Sequence, residues 1–376
     1  MINQQLQIMH LLPSLDPGGM ENGVVNLVNG HKEPFLGHIC CLENTGSFQK
    51  RIANPAVQVH IMNKKPGFKL GLVFQLAQLL RQAKIDIVHT HNHLTLVYGI
   101  PAAKIAKVPI IIHGEHGSPF HYNLKRRLIY QWCYRQMDAL FVVAQSLGCE
   151  IVETKGVGWG KIKIVPNGVD TNIFQGSQKD DILLKKLDIK KGDFVIGSIG
   201  RVEPIKNYEI MPLVAAEIKK KFPNVKWLVV GDGSGLSRLK KEILEKNLVN
   251  DFILPGKTDN VPAMLSLMDI FVLPSLNEGM ANSILEAMSC GKPIIATDVG
   301  ANSELICDGE NGYIIPKNEE RPLIDKILYL LENPEICKSF GEKSRQKVES
   351  KWSMGAMIDS YQKIYSEIWQ EKKQDS

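Results

Sequence analysis

Two glutamates, Glu278 and Glu286, stand with seven residues between them in the run EGMANSILE, and upstream the run GRVEPIKN carries Arg201 and Lys206. Carboxylates repel phosphates but accept hydrogen bonds from hydroxyls. An arginine grips a phosphate with its planar fork, and a lysine supplies a compact positive charge. Two acids and two bases together therefore suit a ligand with a diphosphate in the middle and a hydroxyl-bearing ring at each end, which is the constitution of a nucleotide sugar. Taken singly, Glu286 reads as the solvated position of an amphipathic helix, Glu278 as a loop acid, and Arg201 and Lys206 as solvated loop cations. Their combination with Gly279 favours the ligand.

The elements around these residues place them. Residues 269–273 (DIFVL) form a strand stopped by Pro274, and a loop with Asn277, Glu278 and Gly279 follows. A helix over 281–289 ends at Gly291 and Pro293, and 293–297 is the next strand. In such a unit the loop sits at the carboxyl edge of the sheet, where helix-start amides bind anions. Gly279 lets a phosphate approach the backbone of Gly279, Met280 and Ala281. A strand over 194–200 delivers Arg201 and Lys206 to the same kind of edge, and a strand over 226–230 enters the GDGSG turn at Gly231. That turn lacks the full GxGxxG spacing, so a dinucleotide-dependent dehydrogenase is not the reading.

The glutamate pair, the flanking LPS and the run AMSCGKPIIATDVGANSEL resemble the retaining nucleotide-sugar glycosyltransferases of family 4. The resemblance implies an α/β chain of GT-B architecture, with two Rossmann-like domains facing a central cleft and a terminal helix crossing back to the first domain. The domains implied are 1–174 with the terminal helix for the acceptor, and 175–354 for the nucleotide sugar. Their expected junction follows the PNGVD turn. Carried over as donor-binding are Gly18 and Gly19, Arg201 and Lys206, Gly231, and the stretch Glu278, Gly279, Met280, Ala281 and Asn282 with Glu286. Carried over as catalytic are His113, Glu278, Arg201 and Lys206. The resemblance implies neither a metal nor a cofactor beyond the donor. The HGEHG run is similar to a subgroup associated with bacterial exopolysaccharide assembly.

In the first half, a strand over 6–12 leads through a turn with Gly18 and Gly19 into a helix over 20–29. Strands over 37–42 and 57–62, a helix over 68–82 and a strand over 85–89 lead into HTHNH. All ten histidines precede residue 122. The alternating His89, His91 and His93 could ligate a metal from one strand face, but no cysteine or carboxylate cluster completes such a site. Lining of the cleft, by His91 above all, is the better reading. A strand over 109–113 puts His113, in a loop with His116, where it can bond a sugar hydroxyl or shuttle a proton. In the stretch 123–141, Lys125, Arg126, Arg127 and Arg135 beside Tyr130, Trp132 and Tyr134 suit either a helix on acidic headgroups or a core helix with a solvated basic edge. Residues 175–192 read as a surface linker.

With 376 residues, 44% of them hydrophobic, two domains are the natural division. No apolar run reaches membrane-spanning length and the N-terminus lacks a basic start, so a cytoplasmic protein is expected, with the inner face of the cell membrane as the option that a basic surface leaves open. Seven scattered cysteines without CxxC spacing indicate neither zinc nor a disulfide framework. Residues 1–170 hold 17 Lys and Arg against 10 Asp and Glu, so the first half is the basic one. No nucleic-acid-binding signature accompanies that charge, which instead suits an acidic membrane or a lipid-linked phosphate.

The expected function is sugar transfer from a UDP or GDP sugar to a saccharide or lipid-linked acceptor in cell-surface polysaccharide or glycolipid synthesis. A nucleotide-sugar epimerase on the same architecture and a non-catalytic sugar-nucleotide binder are the alternatives. Retention of configuration follows from the resemblance alone. No carboxylate pair of the glycosidase kind can be assigned, and front-face substitution stays open.

Overall fold

The computed structural model describes residues 5–117 and 124–374. It divides into two units, Met1–Gly168 with Met354–Ser376, and Val169–Ser353. The division falls between Gly168 and Val169 rather than at 174. The reason is local: the Val169 amide donates to the Trp352 carbonyl at 2.9 Å, and Val169 bridges Ser353, so the chain enters and leaves the second unit side by side.

The first unit contains strands β1 (Leu6–Leu12), β2 (Phe35–Cys41), β3 (Gln58–Ile61), β4 (Ile87–His91), β5 (Ile110–Glu115), β6 (Ala139–Val142) and β7 (Ile162–Ile164). They alternate with α1 (Gly19–Asn29), α2 (Leu70–Gln82), α3 (His93–Ala106), α4 (Leu124–Gln136) and α5 (Gln145–Lys155). All pairs are parallel, in the order β3-β2-β1-β4-β5-β6-β7. Parallel strands covered on both faces read as continuous apolar runs, and LQIMHLL and IIIHGE are buried along almost their whole length. Leu6, Ile8, Ile87, Ile110 and Ile112 pack against Tyr361, Tyr365 and Trp369 of the terminal helix, which covers one face of this sheet.

Three departures from the sequence reading matter for the site. Strand β4 runs two residues beyond His89, to His91, and β5 runs past His113 to Glu115. Helix α3 occupies a stretch where no element was expected. It is buried on most sides, at Thr95, Leu96, Tyr98, Gly99, Ile100, Ala102 and Ala103, and it holds Pro101 in its interior. Such a helix shows no amphipathic stripe and carries a residue that ordinarily ends helices. The third departure is α4, which ends at Gln136 and gives way to β6. Of the expected 123–141 stretch, residue 123 lies outside the described residues.

The second unit opens with α6 (Asp181–Lys186) inside the expected linker, capped by the Asp180 carboxylate on the amides of Ile182 and Leu183. Then follow β8 (Phe194–Ile199), α7 (Met211–Lys219), β9 (Val225–Val230), α8 (Leu236–Glu245), β10 (Phe252–Gly256), α9 (Val261–Leu267) and β11 (Ile270–Leu273). The unit closes with α10 (Asn282–Ser289), β12 (Ile294–Thr297), α11 (Asn302–Leu305), β13 (Gly312–Ile315), α12 (Glu320–Glu332) and α13 (Pro334–Lys351), and α14 (Met354–Gln374) is the terminal helix already described. The sheet is parallel in the order β10-β9-β8-β11-β12-β13. The order reverses direction at β8 and β11, and ligands of open parallel sheets bind above such a switch point. Among the described residues no helix is long and apolar enough to cross a membrane.

Candidate active site

The loop between β11 and α10 leaves the carboxyl edge at the switch point. Thr297 donates to the Ser275 carbonyl at 2.6 Å, and the Ser275 hydroxyl donates to Glu278 Oε1 at 2.6 Å. The loop is backed by Gly300, whose φ of +56° and contact with the Glu278 and Gly279 carbonyls leave no room for a side chain. A Cβ there would stand 2.3 Å from the Glu278 carbonyl oxygen. The Ala301 amide then donates to the Gly279 carbonyl at 2.8 Å. Gly300 was not singled out from the sequence as a site residue; its signal was a glycine three residues beyond a strand end.

From the neighbouring β8 edge, Lys206 Nζ reaches Glu278 Oε1 at 2.5 Å, with the two side chains only 17% and 10% exposed. The Leu276 amide donates to the Ile205 carbonyl at 2.8 Å, so the two loops are joined through backbone as well. Arg201 follows Gly200 on the same loop and is exposed. Helix α10 begins at Asn282, one residue later than expected, and Ala281 brings no capping side chain to its start. Asn282 and Glu286 are one turn apart on that helix and share a face. Glu286 is half-buried, and burial pushes its carboxyl up to about 7.

Gly231 seats the third loop. Its φ is +145°, and a Cβ on it would fall 1.8 Å from the Gly200 carbonyl oxygen, so only glycine lets the β9 end lie against the Arg201 loop. The Val202 amide donates to the Asp232 carbonyl at 3.0 Å, and the Gly235 amide to the Val202 carbonyl at 2.7 Å. Hydrogen bonds from Ser234 to Glu203 hold that carboxyl low. The structure thus brings Arg201, Lys206, Gly231, Glu278 and Gly300 together on one sheet edge.

In the first unit the expected residues are placed differently. Gly18 and Gly19 mark the start of α1, and Gly19 lines a small pocket with Met20, His91, His116, Asn167 and Tyr361. His113 does not project from a loop toward a ligand. It is fully buried within β5, with Nδ1 2.8 Å from Thr90 Oγ1 and Nε2 3.7 Å from Glu115 Oε2. Its expected contact with a sugar hydroxyl is therefore corrected: the strand continues through it.

His91 and His116 occupy the pocket instead, with His91 Nδ1 3.0 Å from His116 Nε2. On its other side His91 Nε2 lies 3.1 Å from His10 Nδ1, while His89 Nδ1 lies 2.7 Å from the Tyr365 hydroxyl. His93 has left the strand for α3, and His10, paired with His89 across β1 and β4, supplies the third imidazole. Nitrogens of His10, His89 and His91 lie within 4.8 Å of one another, a spacing that could hold a metal ion. Gly114 leaves the space beneath them, since a Cβ there would stand 3.0 to 3.2 Å from nitrogens of His89, His116 and His91. Burial pushes His10, His89 and His91 far below the usual imidazole value, and His31 and His116 down to about 4, so these rings are neutral.

The chain matches two family profiles, one described as Glycosyltransferase Family 4 over residues 17–173 and one as Glycosyl transferases group 1 over 179–347. It is 30% identical over 313 residues to the Escherichia coli UDP-Gal:alpha-D-GlcNAc-diphosphoundecaprenol alpha-1,3-galactosyltransferase, covering 79% of each chain. This chain belongs to glycosyltransferase family 4. A second relative, the Bacillus anthracis N-acetyl-alpha-D-glucosaminyl L-malate synthase, is 25% identical over 320 residues, covering 82% of this chain and 81% of that one. Among solved structures, Anabaena Alr3699/HepE in complex with UDP superposes with a TM-score of 0.85 at 20% identity, over 97% of this glycosyltransferase and all of that chain. The sucrose-phosphate synthase of Thermosynechococcus elongatus superposes at 0.77 and 16% identity, over 97% and 99%. The glycosyltransferase therefore has the GT-B fold. Its second profile match spans Arg201, Lys206, Gly231, Glu278, Glu286 and Gly300, and its first spans Gly18, Gly19 and the histidine cluster from His31 to His116.

Proposed function

We propose that this glycosyltransferase takes a nucleotide-diphosphate sugar, a UDP sugar first among the candidates, and transfers the sugar with retention to a saccharide or lipid-linked acceptor. The assembly of cell-surface polysaccharide or glycolipid, at an acidic membrane face, is the proposed setting. The observation that carries the donor reading is the Lys206 to Glu278 contact of 2.5 Å, which joins a cation for phosphate and an acid for hydroxyls at one point beside the α10 start. The printed names of relatives support the same classes, since the E. coli enzyme is named for a UDP sugar and a diphosphoundecaprenol-linked acceptor.

In this reading Arg201 and Lys206 stabilise the negative charge that grows on the departing diphosphate as the bond to the anomeric carbon breaks. Glu278 orients sugar hydroxyls and Glu286 the ribose hydroxyls. Gly231 and Gly279 let the nucleotide and diphosphate approach the backbone. The acceptor is assigned to the first unit, where His91 and His116 line a gap of only about 10 Å³ beside Gly19, too small to hold a sugar itself. Neither a metal nor nucleic acid enters the reading. Front-face substitution is the route to retention kept in this reading, since among the described residues no second carboxylate pair of the glycosidase kind can be assigned as nucleophile and acid.

The test is release of nucleoside diphosphate from a panel of UDP, GDP and ADP sugars, with and without lipid-linked and soluble saccharide acceptors. Acceptor-dependent release from one donor is the expected outcome. Conversion of the donor to its epimer without an acceptor, or binding without any turnover, would overturn the transferase reading.

A further inference from the structure

The first unit carries an exposed apolar surface that the transfer site does not use. Phe68, Leu70, Phe74, Leu128, Ile129 and Trp132 are each between 44% and 63% exposed. Phe68 lies just before α2, Leu70 and Phe74 lie in its first two turns, and the last three are on α4, where Leu128 and Trp132 are one turn apart. A groove of about 630 Å³ joins the two groups, lined by Phe68, Leu94, Val97, Tyr98, Ile129 and Tyr130. It opens at the carboxyl edge of the sheet, where α3 leaves β4.

The surface is held in place. Phe68 stacks on Tyr98 with ring centroids 5.2 Å apart, and the Lys69 amide donates to the Tyr98 hydroxyl at 2.8 Å. Helix α4 is anchored by the buried Cys133 and Tyr134 while Trp132 faces out, so it is at once a core helix and a surface one.

Charge identifies the occupant. Residues 62–82, 92–107 and 124–136 contain ten of the 17 Lys and Arg of the first 170 residues and none of the ten Asp and Glu. Three of them, Lys65, Lys69 and Arg127, are exposed and lie within three residues of Phe68, Leu70 and Leu128 in the chain, whereas Lys64 is paired with Glu43 at 3.4 Å. Lys69 at the N-cap of α2 and Arg127 in the first turn of α4 oppose the helix dipole, and α2 has no side-chain cap and no acid in its first turn, so helix stability does not account for the arrangement. An anionic surface does. Exposed apolar side chains flanked in the chain by exposed lysine and arginine match a bilayer in which the rings enter the acyl boundary and the cations meet acidic headgroups.

We propose that this face, from the 64–74 segment across α3 to residues 127–132 of α4, docks the protein on an anionic lipid bilayer. The proposal deepens the acceptor reading above by presenting the acceptor side of the first unit to the membrane that would hold a lipid-linked acceptor.

The test is co-sedimentation with vesicles of equal parts phosphatidylglycerol and phosphatidylcholine, beside vesicles of phosphatidylcholine alone. The unaltered protein should sediment with the anionic vesicles at low salt, be released by high salt, and leave the neutral ones. A Phe68→Ser, Trp132→Ser double variant and a Lys69→Glu, Arg127→Glu double variant should each bind at least about tenfold more weakly. A thermal shift with UDP reports the donor reading separately. Vesicle binding without a UDP shift would sink the donor reading and keep the docking face; a UDP shift without vesicle binding would do the reverse. Binding that both double variants retain, or light scattering showing that they disrupt self-association while vesicle binding persists, would also overturn the proposal, the latter making the face a contact between copies.

Discussion

Lys206 Nζ and Glu278 Oε1 stand 2.5 Å apart although 72 residues separate them in the chain. Ser275 shares the same carboxylate oxygen, and neither charged side chain is more than 17% exposed. A charge-assisted contact in that setting fixes the position of each group before a ligand arrives, which is the arrangement required of charges that act in a transition state.

Replacing Lys206 with alanine should therefore do two things. Turnover should fall by about a hundredfold or more, through loss of a preorganised charge. Stability should fall by about 1.5–3 kcal/mol, because Glu278 keeps its place without its ion partner. Arg201→Ala, at an exposed position without that contact, should match the loss of turnover but leave the melting temperature nearly unchanged. Steady-state kinetics beside thermal melts separate the two, and near-normal turnover in both variants would remove the proposed role.

Gly300→Ala tests whether the loop must be held from behind. The substitution puts a side chain 2.3 Å from the Glu278 carbonyl oxygen and forces a left-handed backbone on alanine. Gly309 has a similar φ, +74°, but nothing within 4 Å of its would-be Cβ. Gly309→Ala should cost about 1–2 kcal/mol of stability and leave turnover intact. Gly300→Ala should cost more and abolish turnover. Equal turnover in the two variants would show that the Glu278 loop does not depend on this contact.

Much of the frame was legible in the sequence, for a physical reason: parallel strands buried on both faces are apolar along their length, and the glycines at their ends mark the turns. The cross-chain relations were not. That Lys206 meets Glu278 depends on β8 and β11 being neighbours, and that His10 joins His89 depends on β1 pairing with β4. His113 was assigned to a loop because a polar residue after PIII reads as a strand end, whereas Thr90 and Glu115 make room for it inside the sheet. Helix α3 was missed because Pro101 and burial on most sides remove both helical signals.

Acid should destabilise the first unit. Burial lowers His31, His38 and His116 from 6.5 to about 4, so between those values the unfolded chain binds more protons than the folded one. Their contribution is full above pH 6.5 and is lost as pH falls toward 4, by up to about 1.4 kcal/mol per pH unit for each histidine. Urea midpoints should drop steeply over that window, and His38→Gln should flatten the drop. A midpoint constant from neutral pH to 4 would contradict the neutral cluster.

Glu286 titrates in the opposite sense. Its carboxyl is raised from 4.5 to about 7, so its stabilising contribution is present below 4.5 and is lost as pH rises through 7. Glu286→Gln should thus be more stable than the parent at pH 8, yet bind the donor more weakly there because the ionised acid accepts from ribose hydroxyls. Calorimetric melts and donor titrations at pH 6 and 8 check both signs, and a variant less stable at pH 8 would refute the buried-acid account.

Because the proposed chemistry takes no metal, treatment with a chelator should leave turnover unchanged. A loss restored by added zinc would instead assign a role to His10, His89 and His91.

The most direct measurement is calorimetric titration of UDP and UDP sugars into the parent protein and a Lys206→Ala, Glu286→Gln double variant. Saturable one-site binding to the parent, weakened by at least about a hundredfold in the variant, is the predicted result. Equal affinity in the two proteins would contradict the claim that the second unit's sheet edge holds the donor, as would failure of the parent to bind any sugar nucleotide.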